Sequence, residues 1–493
     1  MAALGVALAA PAQAQAPALP APETVTLDKL GYMSTFPPEG AQRVDLSNSY
    51  KYPQLRWAVQ HLRELQPTRN IRRGGAAPSA LPADPRPLGA VAFDDDKGQP
   101  ITVDQWFTRT YTDALVVMHR GRVVYERYDN QMKPYTPHLL FSVTKSFTGL
   151  MAAQLVHEGK IDPEALVTKY VPELAESAWG DMKVRDVMDM TGAVRFREVY
   201  TDPTTEIFGY SWSSGLLPRP PGYQGPTNVY DFLKTLKKEG EHGAGFVYRT
   251  VHSEVLGWIV SRATGKHWAE LMSDNIWQKL GTEEDAYVMV DSVGTPLQGA
   301  GLNATARDLA RFGEMLRLGG SFNGQKIFDK AVIDDTAKGG DREKFKMGGM
   351  AFRPGYSYRN QWWVLHNADG AYEAAGIHGQ FIHVNPAAEM VVVGRQHDGL
   401  RSILDQPRQD MGPLGAVAAA LVEAQARGYS AVLTAPCDAV DLPPDLLTRL
   451  FPYPAYVESM PVIGLWPAYA AADALAILDS DERHSMKAFA TRI

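Results

Sequence analysis

A serine three residues ahead of a lysine, in Ser142-Val143-Thr144-Lys145, opens an apolar-periodic run that extends to His157 and stops at Gly159. Glycine just past the last periodic residue is the usual helix stop, so Ser142 and Lys145 share one helical face. A serine hydroxyl is a weak nucleophile at neutral pH and needs a base within hydrogen-bond reach, which an amine one turn along can be. That amine must be neutral. Seating Lys145 in a partly dry cleft lowers its pKa toward that state, because desolvation disfavours the ammonium. At the helix start, Ser142 also gains from backbone N–H groups directed at the oxygen it attacks. A chain this long contains roughly one or two Ser-x-x-Lys by chance, so the spacing alone assigns no chemistry.

Two more segments, far away in sequence, carry candidate groups: Tyr248-Arg249-Thr250 and His378-Gly379-Gln380. Alone, Tyr248 reads as an ordinary half-buried tyrosine and His378 as a strand histidine with a satisfied hydrogen bond. The elements that must bring these segments together are legible in outline. Ala114–Met118 and Val123–Tyr128 flank a Gly-containing turn and predict an antiparallel hairpin, which leads into the Ser142 helix. Lys183–Met188, Ser253–Ala263 and Thr305–Arg317 read as helices, the last two closed by Gly265 and Gly319-Gly320. Gln361–Leu365, Gly376–Val384 and Met390–Val393 read as strands, the last two joined by Asn385-Pro386-Ala387-Ala388. The expected fold is α+β, an antiparallel sheet whose first and last segments meet, with helices packed on it and an inserted helical lobe. The aromatic, Gly- and Pro-rich stretch Val194–Tyr230 is expected to be a binding wall, and Pro67–Pro87 a loop over the surface.

Composition excludes several functions. A formal charge of −7, with no Lys/Arg block, argues against nucleic acid as a partner. The single cysteine, Cys437, rules out an intrachain disulfide, and scattered histidines give no zinc spacing, so neither metal nor cofactor is expected. Met1–Ala16 resembles a signal peptide without its basic n-region, which predicts a periplasmic or secreted protein; no later stretch is long and apolar enough for a membrane span. An extended segment and linker then run over 17–90, ahead of a catalytic domain at 91–400 and a tail at 405–493.

In family order, the three candidate segments resemble the motifs of the serine β-lactamase and penicillin-binding-protein superfamily: Ser-x-x-Lys, Tyr-x-Asn and Lys-Thr-Gly. The likeness is nearest to class C and its 6-aminohexanoate-dimer hydrolase and esterase relatives, on Gly301–Gly313, Gln361-Trp362-Trp363 and Gly376–Gln380. It implies a hydrolase of small amides or esters acting through an acyl-enzyme. In it Ser142 is the nucleophile, Lys145 its base and Tyr248 the donor to the leaving group. Thr250 stands where the family has Asn or Ser. His378-Gly379-Gln380 replaces Lys-Thr-Gly and removes the cation that would meet a β-lactam carboxylate. The oxyanion hole is expected from the Ser142 N–H and one near Phe381, and Tyr200 matches a tyrosine that closes over an amide substrate.

Beyond His397 the pattern changes to α/β: an Ala-rich helix over Ala416–Ala426, a strand over Tyr429–Thr434, then Ala435-Pro436-Cys437-Asp438. This tail resembles the back part of molybdenum cofactor guanylyltransferases, with Asp438 at their metal-binding aspartate. No Gly-rich loop precedes residue 405 to cradle a phosphate, so an inactive tail is expected. Pro413–Ala426 could instead cover the hydrolase sheet beside its first strand. The residues themselves leave two rival functions, a non-catalytic penicillin-recognising-like binding domain and nucleotidyl transfer by the tail.

Overall fold

A computed structural model describes residues 21–395, apart from 95–98, 201, 349, 351 and 352; beyond these it describes only 431–434, 455–457, 460–467, 470 and 474. The centre is a seven-stranded antiparallel sheet. Its order is Ser357–Arg359, Trp362–Val364, Tyr372–Gly376, Gln380–Asn385, Met390–Arg395, Ala114–His119 and Arg122–Tyr128. The expected hairpin closes through Arg120 (φ 52°) and Gly121 (φ 76°), the left-handed pair that a tight two-residue connection requires. Met390–Arg395 pairs with Ala114–His119, so the first and last parts of the domain do meet.

Alternation along these strands gives the sheet two apolar faces. On one, Val116, Met118, Ile382, Val391 and Val393 meet Leu309 and Phe312 of the Ala306–Arg317 helix, whose N-cap Thr305 accepts from the Asp308 N–H. The Val143–His157 helix lies beyond, with Phe147 stacked on Phe312 at 4.1 Å. It is buried almost all round, as a central helix must be. On the other face, Leu115, Val117 and Val124 are covered by Phe107 of a Val103–Arg109 helix. The cover expected from the sequence, Pro413–Ala426, lies outside the described residues. A second antiparallel sheet, Thr68–Ile71, Ala286–Met289, Leu302–Ala304 and His138–Leu139, delivers the chain to Ser142.

Three expectations are corrected. Pro67–Pro87 is no loose surface loop: Ile71 is fully buried in a strand, and the Asp84 and Arg86 N–H groups bond to Val123 and Val124 carbonyls at 2.9 and 2.7 Å. Its order comes from backbone pairing with distant strands, to which composition is blind. Val194–Tyr230 contains a helix, Glu206–Ser214, and Tyr210 packs edge-on with Phe196 and at a tilt with Phe232 in the main core. Gly376–Val384 is not one strand but the end of one, a turn and most of the next. In the tail, the described strands Ala431–Thr434 and Ala455–Val457 flank Met460–Pro467, all antiparallel; the expected helix, Ala416–Ala426, lies outside the described residues. Met1–Ala16, Cys437 and Asp438 lie outside the described residues. No described helix is long and apolar enough to cross a membrane.

Candidate active site

Ser142 is the N-cap of the Val143–His157 helix, and its hydroxyl makes no capping bond. Lys145 Nζ lies 2.8 Å from Ser142 Oγ and 2.6 Å from the Gly299 carbonyl oxygen. Lys145 is 1% exposed. Burial pushes its pKa down to about 8, against the pull of the Glu198 and Glu254 carboxylates, which favour the ammonium. About half of the amine is therefore neutral at about pH 8.

Tyr248 arrives from the segment ahead of the Val251–Thr264 helix. Its phenol hydrogen-bonds Ser142, and its ring stacks on Trp363 at 5.4 Å with Lys145 Nζ 5.2 Å from the ring centre. Burial holds the phenol well above its ordinary range, partly offset by the Ser142 bond, so it stays protonated. An alcohol, an amine with a lowered pKa and a protonated phenol thus stand in contact.

The remaining candidates are placed differently. Thr250 is the helix N-cap, and its N–H donates to Glu198 Oε1; Tyr200, half exposed at the rim, donates to Glu198 Oε2 at 3.3 Å. Both therefore converge on one carboxylate, not on Ser142. His378 and Gly379 lie in a turn, Ile377–Gly379, with left-handed φ of 62° and 73°, not on a strand. The His378 ring packs 5.2 Å from Phe141, which precedes the nucleophile and is itself left-handed (φ 47°). Such backbone persists only where its surroundings hold it.

Phe381 is displaced from the expected role. It sits within the sheet, paired with Ala375 and Gly394, and its ring joins the Val103–Arg109 face. The backbone beside Ser142 belongs to Gly376: a Cβ there would stand 3.1 Å from Ser142 N and 2.5 Å from the Leu140 oxygen. Sequence reasoning missed Gly376, Glu198, Glu254 and, as a stacking partner, Trp363. A signal existed for the first, since an isolated glycine in a strand pattern marks a close backbone approach. Among the described residues, no group of three or more His, Cys, Asp or Glu is placed to hold a metal ion.

An antiparallel sheet backed by helices, with a Ser-x-x-Lys helix start facing a strand end, defines a penicillin-recognising serine hydrolase. The Beta-lactamase family profile matches residues 103–394, and the chain belongs to that family. It is 36% identical over 360 residues to the 6-aminohexanoate-dimer hydrolase of Paenarthrobacter ureafaciens, covering 73% of this chain and 89% of that protein. A solved structure from Bacillus anthracis, provisionally named for the same hydrolase, superposes with a TM-score of 0.68 at 33% identity, covering 73% and 92% of the two chains. A Salmonella agona protein provisionally named a D-alanyl-D-alanine carboxypeptidase is 26% identical over 180 residues, or 35% of this chain and 39% of that one. A MobA-like NTP transferase domain profile matches residues 365–483 and so overlaps the first match. The overlap, 365–394, holds the inner strands Tyr372–Gly376 and Gln380–Asn385 and nearly all of Met390–Arg395, which are paired through to Ala114–His119 and belong to the hydrolase.

Proposed function

We propose that this serine hydrolase cleaves small linear amides of the 6-aminohexanoate type, and the corresponding esters, with Ser142, Lys145 and Tyr248 carrying the reaction. The observation that carries this reading is the 2.8 Å approach of a buried Lys145 amine, its pKa lowered to about 8, to the Ser142 hydroxyl. Neutral Lys145 takes the Oγ proton as Oγ attacks the substrate carbonyl carbon. The tetrahedral oxyanion is received by the Ser142 N–H and the backbone at Gly376–Ile377. As the C–N bond breaks, Tyr248 gives its phenolic proton to the leaving nitrogen and recovers one from the Lys145 ammonium. Water then attacks the acyl carbon, passing its proton through the same pair, and Ser142 leaves as the alcohol.

The substrate class is taken from the likeness to the Paenarthrobacter hydrolase over 89% of its length. The missing cation at 378 and the stacked Tyr248–Trp363 wall favour a substrate with an apolar spacer over a β-lactam carboxylate. The test is hydrolysis of p-nitrophenyl acetate and of the 6-aminohexanoate dimer by the wild-type protein and by Ser142→Ala. Ser142→Ala is expected to lose at least about 1,000-fold in kcat with an unchanged melting temperature. Wild-type turnover in that variant refutes the nucleophile, and ester turnover without dimer turnover refutes only the substrate class.

A further inference from the structure

Behind Lys145 lies a carboxylate that the reaction above does not use. Glu254, on the Val251–Thr264 helix, has no exposed surface, and a carboxylate in such a place must have its oxygens occupied. Tyr210 Oη donates to Oε1 at 2.6 Å, the Gly299 N–H to the same oxygen at 2.8 Å, and the Gln298 N–H to Oε2 at 3.0 Å. With its amide turned to face the carboxylate, Gln298 Nε2 donates to Oε2 at 2.7 Å as well. Gly299, which Glu254 grips by its N–H, presents its own carbonyl to Lys145 Nζ at 2.6 Å. Nothing larger than glycine fits there. A Cβ at 299 would lie 2.6 Å from the Thr250 methyl and 2.8 Å from Glu254 Oε1.

We propose that Glu254 is a positioning residue for the base: its grip on the Gln298–Gly299 amides aims the Gly299 carbonyl at Lys145 Nζ. Its charge also steadies the ammonium formed when Lys145 takes the Ser142 proton. This rests on Lys145 being the base. The titratable groups that sense Glu254 are Lys145, Tyr210 and Tyr230, the first favoured as a cation and the two phenols held protonated. Burial lifts Glu254 itself to about 7, against the bonds from Tyr210, Gly299 and Gln298, so it carries charge where Lys145 begins to lose its own. Tyr210 stands on the Glu206–Ser214 helix, which follows the Glu198–Tyr200 rim. One carboxylate therefore ties the substrate-side segment to the base.

Glu254→Gln preserves shape but turns an amide donor onto a backbone N–H donor and removes the charge. Its kcat on p-nitrophenyl acetate is expected to fall about 10- to 100-fold, with KM within about twofold. With the charge gone the ammonium is less favoured, so the acid limb of kcat/KM moves to lower pH by roughly half a unit or more. A purely structural role lowers the melting temperature and leaves that limb in place. Glu254→Asp keeps the charge and is expected to restore the wild-type limb while remaining slower than wild type. A folded Glu254→Gln with wild-type kcat and an unmoved limb overturns the proposal. Should that variant not fold, Tyr210→Phe, which removes one donor from the carboxylate, decides: a several-fold loss in kcat supports the proposal and a wild-type kcat overturns it. Full activity in Lys145→Ala would instead overturn the base assignment on which the proposal rests.

Discussion

Ser142 and Lys145 reach the site from one helix, whereas what faces them, Gly376 to Gly379, is a turn between two strands. The helix contributes side chains whose mutual distance follows from a three-residue spacing: Nζ and Oγ are 2.8 Å apart because both stand on one face. The turn contributes mainly backbone. Gly376 comes so near Ser142 N and Leu140 O that no Cβ fits, and His378 turns its ring onto Phe141. Chemistry that depends on side-chain identity is thus concentrated on one wall. The opposite wall depends on how closely its main chain approaches.

Substitutions on the two walls sharpen this contrast. On the strand side the largest effect is expected from Gly376→Ala, whose methyl meets the Leu140 carbonyl and pushes the turn away from the nucleophile. The kcat/KM for p-nitrophenyl acetate should fall about 100-fold, as for loss of one oxyanion donor, with a lowered melting temperature; a wild-type rate would break the comparison. On the helix side, the pH profile reports the base. As the proposed base, Lys145 must be neutral to act; held down to about 8, it makes activity depend on deprotonation, lost as pH falls through that value. Below it, kcat/KM should drop about tenfold per pH unit, whereas a flat profile between pH 6 and 9 would remove Lys145 from the role. The smallest change is expected for His378→Ala. The ring packs on Phe141, so kcat should change by less than about threefold; a loss of 100-fold would show that this wall also uses a side chain.

The same contrast explains which elements are legible in the sequence and which are not. The helices over Val143–His157, Val251–Thr264 and Ala306–Arg317 are legible because an apolar period and a closing glycine are local signals. The hairpin at Arg120-Gly121 is legible for the same reason. The Gly376–Val384 run is not, since its alternation looks the same whether the chain runs straight or turns at His378. Tyr210 has the sequence surroundings of a binding-loop aromatic. Its phenol in fact serves the buried Glu254, a carboxylate that no spacing links to Lys145.

By itself the sequence determined the family and picked out the Ser142–Lys145 pair proposed here as nucleophile and base, because these two lie within one helical turn and the remaining motifs follow in a recognisable order. Tertiary structure alone decided which backbone faces Ser142, which carboxylates surround Lys145 and what covers the second face of the sheet. Those depend on packing between separate elements of the chain, and such contacts leave no period in the sequence to read.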